Sequence, residues 1–192
     1  MKYVTHDMKG CFKYIKKQTI FEIIKTVFLY LMALGIFFIG YYTLGTKKSL
    51  WSVIAVLGLL PASKAMVGAI MFLRFRSISS DLFNEIRDAA GNLPVLYENI
   101  LTTSQKTYMV PAICYCKGSL CLLYEGDVAS VKKIETHLND VLKKGGYKGI
   151  SVKVFSTKND FVNRLLDMNS HFELNEKSNY QELFNTIKAV SL

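Results

Sequence analysis

The stretch TVFLYLMALGIFFIGYYTLG, residues 26–45, decides the fold of this chain. It contains 20 residues and no charge, the length at which an α-helix crosses a hydrocarbon core of about 30 Å. A chain of 192 residues has too little other sequence to bury such a helix on every side in water. We therefore predict a membrane-spanning helix over residues 26–45.

A second apolar run, residues 50–73, follows so closely that only a tight helical hairpin fits between the two. Pro61, Ser63 and Lys64 interrupt this run. Ser63 is expected to help satisfy the carbonyl group that Pro61 leaves unpaired. Lys64 either extends its ammonium group toward the cytosolic interface or is an intramembrane charge that faces a partner, a pore or a lipid headgroup.

Small residues form a stripe along the second run, spaced four, three and four residues apart: Gly58, Ala62, Ala65 and Ala69. Small side chains at this spacing let two helices approach closely. The stripe indicates either packing of the first helix on the second or self-association of two chains, and we favour the hairpin.

Positive charge is concentrated beside the apolar runs. Residues 1–76 hold 11 Lys/Arg and 2 Asp/Glu, whereas residues 77–192 hold 13 of each, so the first part carries the whole net charge of +9. Lys and Arg collect on the cytosolic side of spans, which predicts that both termini of this two-span protein lie in the cytosol, at a plasma membrane of the bacterial type. The neutral remainder argues against nucleic acid as a partner.

Residues 1–25 are predicted to form a basic amphipathic helix on the membrane surface. Its apolar positions recur at helical spacing, and its lysines would lie near an anionic inner leaflet: Lys9, Lys13, Lys16 and Lys17. The bilayer is therefore the first expected partner, followed by a protein partner or a second copy of the chain.

Residues 77–192 read as one cytosolic α/β domain with the element order α-β-β-β-α-β-α-α. Ser79 or Ser80 begins a helix that Gly91 ends, and two buried strands meet near Lys117-Gly118. A strongly periodic helix follows and ends at Gly145-Gly146.

Three of the four cysteines cluster on the predicted hairpin. Cys114 and Cys116 share one strand face, Cys121 lies across the turn, and His137 on the next helix would complete a weak zinc site. Because this spacing does not enforce tetrahedral geometry, buried core cysteines are the better interpretation.

Two segments resemble the nuclease-related domain, NERD, of the PD-(D/E)xK fold: LFNEIRDAAGNLPVLYENILT (82–102) and GSLCLLYEGD (118–127). The resemblance spans residues 82–156. It implies that Glu85 and Glu125 correspond to family carboxylates, with Asp127 where the family has its lysine. The family's aspartate on the second strand falls in PAICYC (111–116), which has no acid. The resemblance therefore implies a degenerate nuclease that would use Mg²⁺.

The sequence has no phosphate-binding glycine loop, no nucleophile elbow and no paired-histidine metal motif. We therefore expect a membrane protein whose non-catalytic cytosolic domain binds a protein or a small ligand, without a cofactor, in an accessory or scaffold role. The alternatives are a membrane-tethered degenerate nuclease with Glu85, Glu125 and Asp127, and an accessory subunit of an oligomeric channel or transporter.

Overall fold

The computed structural model of the chain describes residues 9–44, 50–103, 106–147, 149–171 and 180–191. The chain divides into two units. The helical unit is Ile15–Arg76. The α/β unit combines the start of the chain, through Tyr14, with Ser77–Leu192.

Two long helices form the helical unit: α1 (Tyr14–Leu44) and α2 (Leu50–Leu73). By length and composition, both are able to cross a membrane. The predicted tight connection at residues 46–49 lies outside the described residues.

Small residues lie between the helices of the helical unit. A side chain added at Gly58 would come within 3.6 Å of the Ala33 methyl group on α1. Four alanines of α2 are buried: Ala55, Ala62, Ala65 and Ala69. The Gly58 end of the predicted stripe thus faces α1 of the same chain.

The described residues of the α/β unit form eight elements: α3 (Ser80–Ala90), β1 (Val95–Thr102), β2 (Thr107–Cys116), β3 (Ser119–Leu123), α4 (Val128–Lys144), β4 (Ser151–Phe155), α5 (Lys158–Ser170) and α6 (Tyr180–Val190). This confirms the predicted order. Ser79 caps α3 by accepting the Leu82 N–H at 3.2 Å. Lys117 and Gly118 both have positive φ, as the two-residue turn between β2 and β3 requires.

The four strands form one sheet in the order β1-β2-β3-β4. β1, β2 and β3 run antiparallel in turn, and β4 runs parallel to β3 after the crossover through α4. Each face has its own core. Ile134 and Leu138 of α4 and Ile187 of α6 pack on one face. Ile86 of α3 and Phe161 of α5 pack on the other.

The predicted surface helix over residues 1–25 is wrong for residues 9–13, whereas residues 14–25 are helical. Residues 9–13, which we call the docking segment, form turns, with φ values of 87° at Gly10 and 62° at Lys13. A positive φ does not continue a right-handed helix. From Tyr14 onward the chain is helical through Leu44, so no boundary separates residues 25 and 26. Residues 1–8 lie outside the described residues.

The docking segment belongs to the α/β unit. The Gly10 carbonyl accepts the Tyr97 N–H of β1 at 2.8 Å, and the Phe12 ring stacks on Phe83 with centroids 4.1 Å apart. The Lys9 ammonium group donates to the Ser191 carbonyl at 3.0 Å, near the end of α6, where carbonyl groups lack helical partners. Of the four lysines predicted at the membrane surface, Lys9 is therefore half-buried in protein contacts, while Lys13, Lys16 and Lys17 are exposed.

Candidate functional site

A cleft of about 800 Å³ opens between α5 and the strands β3 and β4. The alternation of apolar and polar residues along β4 explains why the floor of this cleft is polar. Ile150, Val152 and Val154 pack in the core under α4. The intervening residues Ser151 and Lys153 therefore project toward the α5 side of the sheet.

A strand covered by helices on both faces is normally apolar on both faces. β4 departs from this rule on the α5 side, because Ser151 lies beside Ser119 of β3, and Lys153 lies beside Cys121. These polar side chains form the floor of the cleft. On α5, Phe161 and Leu165 pack on the sheet. The polar residues of the same helix line the cleft: Asp160, Asn163, Arg164 and Asp167.

Two cations line the cleft, Lys153 on its floor and Arg164 on α5. Burial raises the pKa of the Cys121 thiol, and the positive charges of Arg164 and Lys153 partly offset that rise. Arg164 also pairs with Asp167 at 2.5 Å, where both side chains are about half exposed. The Lys153 ammonium group lies over the Phe155 ring, 5.1 Å from its centroid. Among the described residues, no carboxylate lies within ion-pair distance of Lys153.

The cysteine cluster forms only in part. Cys114 and Cys121 are directly opposite across β2 and β3, and Cys116 lies in the same core cluster. His137 is on α4, whose core residues pack on the other face of the sheet, so the prediction of His137 as a fourth ligand is wrong. No group of three His, Cys, Asp or Glu residues suited to a metal ion occurs in the described part of the chain.

Burial controls the reactivity of these thiols. It raises the pKa of the Cys114 thiol, and it raises that of Cys121 even though Arg164 and Lys153 act in the opposite direction. Cys11 is exposed, whereas the other three cysteines are buried. The thiolate is the reactive form, so both burial and the raised pKa protect Cys114 and Cys121.

We therefore expect a maleimide at pH 7 to label one thiol of the native protein rapidly, at Cys11, and all four after unfolding in denaturant. Mass spectrometry of the labelled peptides measures this directly. A Cys121 thiol that reacts as fast as Cys11 would contradict the closed packing of the cleft floor.

The carboxylates suggested by the nuclease resemblance do not gather into a metal-binding group. Glu85 of α3 forms an ion pair with Lys158 of α5 at 2.8 Å. Asp127 occupies the N-cap position of α4 without a capping bond from its side chain, and Glu125 is exposed before it. The resemblance to the nuclease-related domain remains a hypothesis about the fold.

Within the helical unit, Lys64 is exposed on α2. Gly58 lies against Ala33, and Gly68 lies against the Glu22 carboxylate, so the two helices run antiparallel. Counting between these contacts places Lys64 at the level of Thr26, directly after Lys25. The two interpretations of Lys64, an interfacial lysine and an intramembrane charge, both stay predictions.

Ser63 does not have its predicted role. Its hydroxyl donates to the Leu59 carbonyl at 2.8 Å, whereas the carbonyl that lacks the Pro61 donor is that of Leu57, four residues before the proline. The bond to Leu59 is the usual one for a serine inside a helix, back to the carbonyl four residues earlier.

A second site, which sequence reasoning missed, is centred on Glu98 in β1. Glu98 is 1% exposed. Its Oε1 atom accepts the Lys13 N–H at 3.1 Å, the Ile78 N–H at 3.2 Å and the Ser77 hydroxyl. Lys13 and Ser77 lie just outside the two ends of the helical unit. One buried carboxylate thus holds both segments through which the chain leaves and rejoins the α/β unit.

The backbone conformation at Glu98 explains why its side chain is placed to accept hydrogen bonds from Lys13, Ser77 and Ile78. Glu98 lies opposite Pro111 in the register of β1 and β2, and proline has no N–H to donate to the ladder. Glu98 has φ of 51°, which is uncommon for a residue other than glycine. The alternation of side chains between the two faces of β1 is interrupted here, because Leu96 and Leu101, five residues apart, lie in the same core cluster. A proline inside an apolar strand was the sequence signal for this irregularity.

No protein-family model, no curated protein and no solved structure matches this chain.

Proposed function

We propose that this chain is an integral membrane protein with two spans, and that its cytosolic α/β unit binds a small polar ligand in the cleft between β4 and α5. The ligand-binding part of the proposal rests on the cleft. Its volume of about 800 Å³ is within the range of sites for small molecules, roughly 300–1,000 Å³. Its polar floor lies where a helix-covered strand would ordinarily be apolar.

The distribution of exposed apolar side chains supports the membrane half. Among the described residues, every exposed large hydrophobic side chain but two belongs to the helical unit; the exceptions are Val128 and Leu166. In water, so much contiguous apolar surface would favour aggregation, whereas lipid chains solvate it. The basic residues beside the spans support a cytosolic location for both termini.

The cleft has the lining of a binding site, with convergent cations, hydroxyls and an amide. The Cys121 thiol lines the cleft, but it is buried and contacts the Met168 sulfur at 3.6 Å, so it is not presented to a bound ligand as a nucleophile. Ligand binding therefore accounts for the cleft more fully than turnover does.

The test is hydrogen–deuterium exchange on the full chain in nanodiscs of phosphatidylcholine, with a fixed set of probes. The set contains glucose 6-phosphate, citrate, glutamate, spermidine and sucrose. We expect at least one probe to slow exchange over residues 151–167 without slowing it over residues 128–144. If neither any of the five at millimolar concentration nor phosphatidylinositol 4-phosphate in the nanodisc protects the cleft, the ligand-binding proposal fails.

A further inference from the structure

The cations of the cleft define the chemistry of its ligand, and this inference rests on the proposed function. Lys153 and Arg164 line the same cleft, Lys153 on the strand beside Cys121 and Arg164 on α5. Positive charges that share a cleft repel each other, and an anion bound between them removes this cost. Of these two cations, Arg164 pairs with the Asp167 carboxylate, whereas among the described residues no carboxylate lies at ion-pair distance from Lys153.

The Cys121 thiol does not supply the missing negative charge. It is 2% exposed, and burial raises its pKa, so it stays neutral near pH 7. The Arg164–Asp167 pair is about half exposed and contributes little to stability, so Arg164 is free to turn toward a ligand at small cost.

Hydroxyl groups line the same cleft as the two cations. Ser119 and Ser151 lie side by side on the floor of the cleft, and Ser156 and Thr157 line it where α5 begins. A phosphoryl group offers three oxygens that accept hydrogen bonds from cations and hydroxyls together. A single carboxylate has two oxygens and would use fewer of these donors.

The rest of the cleft offers hydrogen-bond acceptors in place of cations. The Asp160 carboxylate accepts the Thr157 hydroxyl, and the Asn163 amide lies further along the same helix. Both groups accept hydrogen bonds from ligand hydroxyls. The cleft is also much larger than a phosphate ion, so most of it would be filled by the remainder of the ligand.

We propose that the cleft binds a phosphate ester of a small hydroxylated molecule, with the phosphoryl group between Lys153 and Arg164 and the hydroxyl groups toward Asp160 and Asn163. A soluble sugar phosphate and a phosphorylated inositol headgroup of a lipid share this chemistry.

The experiment measures binding of glucose 6-phosphate to the full chain in phosphatidylcholine nanodiscs, by protection of residues 151–167 from hydrogen exchange. Lys153→Gln is expected to weaken binding about tenfold, since it removes one charge-assisted contact. The matched control is Lys132→Gln, which removes an exposed lysine of α4 outside the cleft. Asp160→Asn is expected to weaken binding of glucose 6-phosphate less than Lys153→Gln does, and to strengthen binding of inorganic phosphate, which has no hydroxyl chain.

A second arm uses nanodiscs that contain phosphatidylinositol 4-phosphate, with no soluble probe. Protection of residues 151–167 in this arm alone, lost in Lys153→Gln and kept in Lys132→Gln, identifies the lipid headgroup as the source and supports the inference. Protection by glucose 6-phosphate with the same dependence on Lys153 identifies a soluble ester.

The outcomes separate the two proposals. Protection by citrate, glutamate, spermidine or sucrose, with none from either phosphate ester, overturns the phosphoryl assignment and leaves the cleft as a binding site. Equal weakening by Lys153→Gln and Lys132→Gln also overturns it, because the effect would then follow from net charge. Absence of protection by every probe overturns both proposals.

Discussion

We expect Glu98→Ala to lower the free energy of unfolding of the α/β unit by about 3–5 kcal/mol. The substitution leaves three donors without their acceptor: the N–H groups of Lys13 and Ile78 and the hydroxyl of Ser77. A hydrogen bond to a charged acceptor contributes about 1.5–3 kcal/mol, and a buried group left unsatisfied costs about 1–3 kcal/mol. A loss of this size is a large share of the stability of an ordinary domain.

The measurement is thermal unfolding of the full chain in detergent micelles, followed by circular dichroism. A fall in Tm of about 10–20 °C corresponds to the expected loss. Glu125→Ala is the control, because it removes an exposed glutamate from the same unit. Similar Tm values for the two variants would show that the Glu98 contacts contribute nothing to the fold.

The second large effect concerns the membrane. The double variant Leu31→Arg, Leu34→Arg places two charges on α1, at positions that are 63% and 48% exposed. In water, such exposed leucines would accept arginine without loss. At the centre of a spanning helix, each arginine costs about 2.5–3.5 kcal/mol for insertion, and the leucine contribution is lost as well. We therefore expect most of the double variant to be absent from the alkali-resistant membrane fraction that contains the parent.

The chain provides a control with the same change of charge. Among the described residues of the α/β unit, the exposed large hydrophobic ones are Val128 and Leu166, at 72% and 52% exposure. Replacing both with arginine should leave the membrane fraction unchanged, because these positions face water in the proposed arrangement. Equal extraction of the two double variants, or a parent protein that stays in the supernatant without detergent, would refute the membrane proposal.

Much of the fold was predictable from local signals. Helix α3 has a serine cap at Ser79 and a terminating glycine at Gly91, and the β2–β3 turn has the Lys-Gly pair that positive φ requires. Such elements are set by residues close together in the sequence, so periodicity and turn chemistry suffice to find them. The docking segment was mispredicted because its apolar residues do repeat at helical spacing, yet their partners are Phe83 and β1, more than 70 residues away.

The candidate site was less predictable for the same reason. Lys153 stood out only as a polar residue in a short strand, and its importance depends on a helix, α5, that covers that face. Glu98 looked like one of many scattered carboxylates until the strand register placed it opposite Pro111. Alternation in SVKV was a usable signal, because a polar face on a strand between two helical layers indicates a cleft.

The Glu135 side chain on α4 accepts the N–H of Val154 at 3.1 Å. It thereby satisfies a backbone donor on the outer edge of the five-residue strand β4. At the opposite border of the sheet, the Gly10 carbonyl and the bridge from Ser191 to Leu101 occupy β1. Unpaired strand borders are where sheets recruit foreign strands and grow into aggregates. Because backbone groups at both edges of the sheet are engaged in this way, a smaller part of each edge is open to a foreign strand.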